Sequence, residues 1–114
     1  MSVIENLILK NELTNHVSNT IIDEYLKELG IFDLKNQKCR QLSIGQQQRV
    51  AIVRSLLQPF NWILLDEPFS HLDSANTRIA LNLIIKVAKN KNAGVILTTL
   101  ETNQEILNFK AINL

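Results

Sequence analysis

The sequence predicts an α/β fold in which a helical subdomain precedes a short parallel sheet with flanking helices. Apolar residues recur at helical spacing from Val17 to Leu29, and Gly30 follows where a helix-ending glycine belongs. Further along, two apolar runs at 62–65 and 95–98 flank a helical pattern over about 74–90. This order is typical of a β-α-β unit with parallel strands. Because the run at 62–65 is continuously apolar, we expect its strand to be buried on both faces, and we expect 95–98 to form a second buried strand.

Composition excludes several classes of protein. The 114 residues are 46% hydrophobic and 20% charged, which is enough for one globular domain and argues against wholesale disorder. A formal net charge of +1 provides no basic surplus for general nucleic-acid binding. Neither apolar run approaches the roughly 20 residues that span a bilayer. The single cysteine, Cys39, excludes an internal disulfide, so we expect a soluble cytosolic protein.

The remaining segments are predicted in order along the chain. The first twelve residues are interpreted as a short helix or an irregular lead-in, and 33–41 as a polar connector that contains a turn. Ser43 precedes a helix over 45–58, which Pro59 ends. After the second strand we expect a short helix over 103–108 and a possible third strand over 111–114.

Two adjacent acids follow the first apolar run, and their place suggests chemistry. Asp66 and Glu67 lie where the strand ends, and ligand sites of parallel sheets lie beyond the carboxyl ends of the strands. One acid there can hold Mg²⁺, and the next can position an attacking water or accept its proton. Taken alone, the pair favours the simpler interpretation, a polar exit from a strand.

Two further groups of residues offer a similar choice. Ser43, Gly45 and Gln46 begin a helix, whose free N–H groups and dipole suit a phosphate, although an N-capping serine needs no ligand. Ser70 and Asp73 lie shortly after the acids and before the next helix, where Asp73 or Ser74 can serve as an N-cap.

In this order and spacing, the three groups resemble one family. The stretch from Leu42 to Asp73, LSIGQQQRVAIVRSLLQPFNWILLDEPFSHLD, is similar to the ATP-binding cassette (ABC) transporter ATPases, in which the LSGGQ signature, a helix, the Walker B strand and the D-loop follow one another. The resemblance implies a partial P-loop NTPase fold within one nucleotide-binding domain. About 1–58 would form the helical subdomain and signature helix, and 59–114 the Walker B, D-loop and H-loop half of the ATPase core.

The resemblance also implies roles for individual residues. Asp66 would bind magnesium as the Walker B acid, and Glu67 would be the catalytic carboxylate. The signature residues Ser43, Gly45 and Gln46 would contact the γ-phosphate of ATP held by the opposite subunit. The D-loop residues Ser70 and Asp73 would couple the two sites.

Partners follow from the same resemblance. The chain would use ATP and Mg²⁺, pair with a second cassette as a homo- or heterodimer, and drive a transmembrane permease from the cytoplasmic face of the cell membrane. No nucleic acid is expected. The residues Glu67-Pro68-Phe69-Ser70 are more similar to importers than to exporters.

Four departures from the family pattern qualify these expectations. The Walker A loop and the Q-loop glutamine are absent from these residues, Ile44 replaces the first glycine of the signature, and Leu100 stands where the H-loop histidine is expected. We therefore expect no ATP turnover from this chain alone. One alternative is a degenerate, non-catalytic cassette that lends its signature to a partner's ATP. Another is an ABC protein of translation or DNA repair that has no membrane partner.

Overall fold

The computed structural model describes residues 1–14 and 18–99, which form two compact units divided between Pro59 and Phe60. The first unit contains helices α1 (Val3–Thr14), α2 (Asn19–Glu28) and α3 (Ile44–Leu56), with single 3₁₀ turns at Phe32–Leu34 and Cys39–Gln41. The second contains strand β1 (Trp62–Asp66), helix α4 (Ser74–Asn90) and strand β2 (Gly94–Thr98). Within the described residues, no helix is long and apolar enough to cross a membrane.

The beginning of the chain is a helix. Ser2 and Glu5 exchange hydrogen bonds: the Ser2 N–H donates to Glu5 Oε1 at 3.0 Å, and the Glu5 N–H donates to Ser2 Oγ at 3.1 Å. This reciprocal pair satisfies donors that the first turn of a helix leaves open. The first residue of the helix is also held, because the Val3 N–H donates to the Gln37 carbonyl at 2.9 Å. Of the two interpretations of the first twelve residues, the helix is correct.

The predicted glycine-ended helix is present as α2. The Gly30 N–H donates to the Lys27 carbonyl at 3.1 Å, and the Ile31 N–H donates to the Leu26 carbonyl at 2.9 Å. These two bonds form a Schellman motif, and Gly30 has the left-handed φ of 72° that the motif favours. Both Leu26 and Ile31 are buried, so the end of α2 is fixed by polar and apolar contacts. Val17 lies outside the described residues.

The second unit is the β-α-β unit that the sequence predicts. β1 and β2 pair in parallel, with Trp62 opposite Gly94 and Asp66 opposite Thr98. α4 spans the predicted 74–90 and contacts β2. Its buried face is formed by Thr77, Ala80, Leu81, Leu83, Ile84, Val87 and Ala88. The predicted helix over 103–108 and strand over 111–114 lie outside the described residues.

The expectation that β1 is buried on both faces is wrong. Ile63 and Leu65 are buried, but Trp62 is 53% exposed and Leu64 is 69% exposed. Successive side chains of a strand point to opposite faces, and α4 can cover only one face of this sheet. The described residues of this unit contain no second helix for the other face. A continuous apolar run is typical of a strand in a parallel sheet that is covered on both faces.

Acid should weaken the start of α1. Hydrogen bonding by Ser2 to the Glu5 carboxylate lowers the pKa of Glu5 below its ordinary value of 4.5. The stabilisation is therefore present above that value and is lost as the pH falls through the lower, folded-state pKa. Glu5→Gln keeps an oxygen acceptor that does not titrate. We expect the amide exchange of the first turn of α1, corrected for intrinsic rates, to increase at low pH in the wild type more than in this variant. Equal pH dependence in both proteins would contradict the assignment.

Candidate functional site

The carboxyl end of β1 presents the first acid of the predicted pair. Asp66 is the last residue of β1, and its side chain is exposed. Thr98, its partner in the parallel register, donates a hydrogen bond from Oγ1 to Asp66 Oδ1 at 2.5 Å. This bond is made to Oδ1 and does not use the second carboxylate oxygen, Oδ2.

The second acid follows in an unusual backbone conformation. Glu67 has a φ of 47°, in the left-handed region, and its N–H donates to the Thr98 carbonyl at 2.8 Å. A residue with a side chain pays roughly 1–2 kcal/mol for that conformation. Such outliers concentrate at functional sites. Thr98 thus holds both acids, Asp66 through its side chain and Glu67 through its main chain.

The segment after the acids forms two consecutive turns. The Ser70 N–H approaches the Glu67 carbonyl at 3.5 Å, and the Leu72 N–H donates to the Phe69 carbonyl at 3.0 Å. Ser70 is exposed, whereas Phe69 is buried and anchors the segment. Asp73 is the N-cap of α4 and accepts a hydrogen bond from the Asn76 N–H at 2.8 Å. The structure therefore gives Asp73 a capping role and leaves the Ser70 side chain at the surface.

The signature turn, defined here as Leu42–Gln46, begins α3 with a capping box. The Gln46 N–H donates to Ser43 Oγ at 3.1 Å, and the Ser43 N–H donates to Gln46 Oε1 at 3.0 Å. Both acceptor groups are therefore used within the turn. The Ser43 hydroxyl proton and the Gln46 –NH₂ are donors, as are the N–H groups of Ile44 and Gly45, which have no acceptor in the first turn of a helix.

This pattern of donors suits an anion. The amino end of a helix carries a partial positive charge, and here the capping box leaves several hydrogen-bond donors unused. The turn is accessible, because Ser43 is exposed and Gly45 is half-buried. Ile44, at 61% exposure, places an apolar side chain beside those donors.

The predicted site residues fall into two sets. Ser43, Gly45 and Gln46 lie in the first unit, while Asp66, Glu67, Ser70 and Asp73 lie within one short segment of the second. Among residues 1–14 and 18–99, no three His, Cys, Asp or Glu side chains form a metal cluster. The position of Leu100 lies outside the described residues.

Sequence reasoning missed two residues of the site. Thr98 lies opposite Asp66 only in the observed register, because aligning the predicted strands 62–65 and 95–98 end to end would pair it with Leu65. Arg49 contacts the signature turn through its side chain: Nε donates to the Gly45 carbonyl at 3.4 Å. A spacing of four residues on a helix was the available signal for that contact.

A family model and curated relatives match this chain. The model described as "ABC transporter" matches residues 1–70. The chain is 44% identical over 68 residues to the phosphonates import ATP-binding protein PhnC of Lactiplantibacillus plantarum, covering 60% of this chain and 27% of that protein. It is 36% identical over 101 residues to the lipoprotein-releasing system ATP-binding protein LolD of Rickettsia bellii, covering 86% of this chain and 46% of that protein.

Solved structures agree with the sequence relatives. A dimeric bacterial ABC transporter cassette matches with a TM-score of 0.75 and 30% identity, over 89% of this chain and 47% of that one. The partial cassette fold that the sequence predicts is thereby confirmed. The chain spans less than half the length of these three proteins.

Loss of the capping box should destabilise α3. Ser43→Ala removes the acceptor of the Gln46 N–H, and we expect a loss of about 1 kcal/mol in the free energy of unfolding. Ser55→Ala is the matched control, because Ser55 Oγ donates to the Ala51 carbonyl of the same helix at 3.1 Å and caps nothing. Urea unfolding of both variants measures the difference. Equal effects of the two substitutions would argue against the capping box.

Proposed function

Because the chain belongs to the ABC transporter family, we propose that it carries the signature, Walker B and D-loop part of an ATP-binding subunit. The observation that carries this proposal is that Thr98 is hydrogen-bonded to both Asp66 and Glu67 at the end of one strand. Two acids fixed side by side beyond a parallel strand suit phosphoryl transfer from ATP to water.

Asp66 fits a magnesium site that is completed by a nucleotide. Mg²⁺ in nucleotide sites is usually held by one or two carboxylates, with phosphate and water oxygens filling the remaining positions. Asp66 is exposed, and its hydrogen bond with Thr98 uses Oδ1 rather than Oδ2. When bound there, the ion supplies charge neutralisation for the phosphate oxygens.

Glu67 acts on the attacking water. Its main chain is fixed through the Thr98 carbonyl, so its side chain leaves a defined backbone position beyond the strand. From there it orients the water in line with the γ-phosphorus and accepts a proton as the new P–O bond forms, while the bond from the γ-phosphorus to the bridging oxygen breaks and ADP leaves. Ser70 and Asp73 then belong to the D-loop, which follows Glu67 through the turn at Ser70.

The signature turn receives the γ-phosphate of an ATP molecule held by a second cassette. Its hydroxyl, carboxamide and main-chain donors match the oxygens of a phosphate, and a capping box keeps them in place before the nucleotide arrives. ATP would thereby join two subunits, whose separation after hydrolysis drives a permease at the cytoplasmic face of the membrane. The exposed face of β1 fits a further layer of a complete cassette.

A non-catalytic cassette is the second candidate function, and Ile44 favours it. The exposed isoleucine occupies the position where the family pattern has a small residue close to phosphate. Such a chain would contribute its signature turn to a partner's site, while Glu67 would carry no reaction.

A fusion tests both candidates. The part of the R. bellii relative that precedes the region of similarity is joined to residues 1–114. We expect the fusion to hydrolyse MgATP, the Glu67→Gln fusion to lose roughly a hundredfold or more in turnover, and the isolated chain to show no measurable turnover.

The outcomes separate the candidates. A fusion that binds ATP without turnover, whether or not Glu67 is replaced, would support the non-catalytic cassette. Turnover that survives Glu67→Gln would contradict the role of Glu67. MgATPase activity of the isolated chain, abolished by Glu67→Gln, would contradict the proposal that its site is incomplete.

A further inference from the structure

Arg49 joins two parts of the first unit that are distant in sequence. Its side chain is half-buried, and Nη1 donates to the Leu29 carbonyl at 3.1 Å, twenty residues earlier in the chain. The same guanidinium donates through Nε to the Gly45 carbonyl of the signature turn at 3.4 Å. One rigid, planar group therefore contacts the end of α2 and the beginning of α3.

The Leu29 carbonyl needs such a donor. Leu29 is the C-cap of α2, so its carbonyl lies beyond the last main-chain bonds of the helix. The Schellman motif uses the Leu26 and Lys27 carbonyls but not that of Leu29. A cation at the carboxyl end of a helix also interacts favourably with the helix dipole. Arg49 thus completes the end of α2 from a different helix.

The backbone at this junction is fixed as well. Gly30, directly after Leu29, has a φ of 72°, and an added Cβ would lie 4.0 Å from Arg49 Nη1. That distance is ordinary van der Waals contact, so the guanidinium packs closely over the turn that ends α2. Ile31, next in the chain, is buried and anchors this turn in the core of the unit.

From these contacts we infer that Arg49 is a positioning residue that ties the signature turn to the carboxyl end of α2. A displacement of α2 is then transmitted to the donors at Ser43–Gln46, so α2 becomes the element through which the signature site can be adjusted. The tie is a property of this unit alone. Its consequence for catalysis rests on the proposed function.

Hydrogen exchange of the isolated chain tests the tie without any nucleotide. In Arg49→Met, we expect exchange of the Gly30, Ile31, Gln46 and Gln47 amides to rise about tenfold, which is the size of one lost charge-assisted hydrogen bond. The slowest amides in the later turns of α3 should change less. Arg54→Met is the matched control, because Arg54 lies in the same helix and its side chain is exposed.

The conservative variant separates geometry from charge. Arg49→Lys keeps the positive charge but cannot make a planar two-point contact. We therefore expect amide exchange to be raised either at the carboxyl end of α2 or at the start of α3, but not at both. Wild-type exchange in this variant at both ends would overturn the inference. So would a uniform rise across the unit in both Arg49 variants, or the same rise in Arg54→Met.

A second readout links the tie to the reaction. In the fusion, Arg49→Met should lower turnover. The affinity of the unpaired fusion subunit for ATP should not change, because the signature turn acts on the nucleotide of the other subunit. A loss of ATP affinity in the separated subunit would contradict this role. If the fusion itself is inactive, the proposed function fails, while the exchange measurement still decides whether Arg49 ties the two elements.

Discussion

The chemistry of this chain depends on the parallel pairing that places Thr98 beside Asp66. Without that register, Asp66 and Glu67 would share no hydrogen-bond partner, and the Glu67 N–H would lose the acceptor that helps to offset the left-handed conformation of this residue. Thr98 uses its hydroxyl for one acid and its carbonyl for the other. A single strand-end residue therefore fixes the carboxylate of Asp66 and the main chain of Glu67.

The groups of the signature turn are fixed by a capping box rather than by strand pairing. The start of a helix leaves donors unpaired, and the capping box pairs one main-chain donor of Gln46 with Ser43 and one of Ser43 with Gln46. What remains is a surface of donors. Catalytic sites gain most from groups that are in place before charge develops, because no reorganisation is then needed during the reaction. The two units thus carry complementary chemistry, with acceptors at the strand tip and donors at the helix start.

Much of this arrangement follows from local sequence. Gly30 marks a helix end because its backbone adopts a left-handed φ, and the run before Asp66 marks a strand that pairs in parallel with β2. Ser43 was identified as an N-cap from its place before a helix, and the structure adds its reciprocal bond with Gln46.

What could not be predicted depends on contacts between distant residues. The exposure of Leu64 depends on what covers the sheet, which an apolar run cannot specify. The bond from Arg49 to Leu29 joins residues twenty positions apart, and no spacing rule connects them. Thr98 is polar and stands at a strand end, so only the pairing register reveals its contact with Asp66. The departure at Ile44 was visible in the sequence, but its exposure required the structure.

The central claim is that the signature turn of one subunit and the acids of another act on the same nucleotide. Mixed dimers of the fusion test it directly, with Ser43→Arg to block the signature turn and Glu67→Gln to remove the base. Dimers that carry these substitutions on different subunits should keep one working site, whereas dimers that carry both on one subunit and none on the other should keep none. The opposite result, with activity only when both substitutions share a subunit, would show that each site lies within a single chain and would contradict the account.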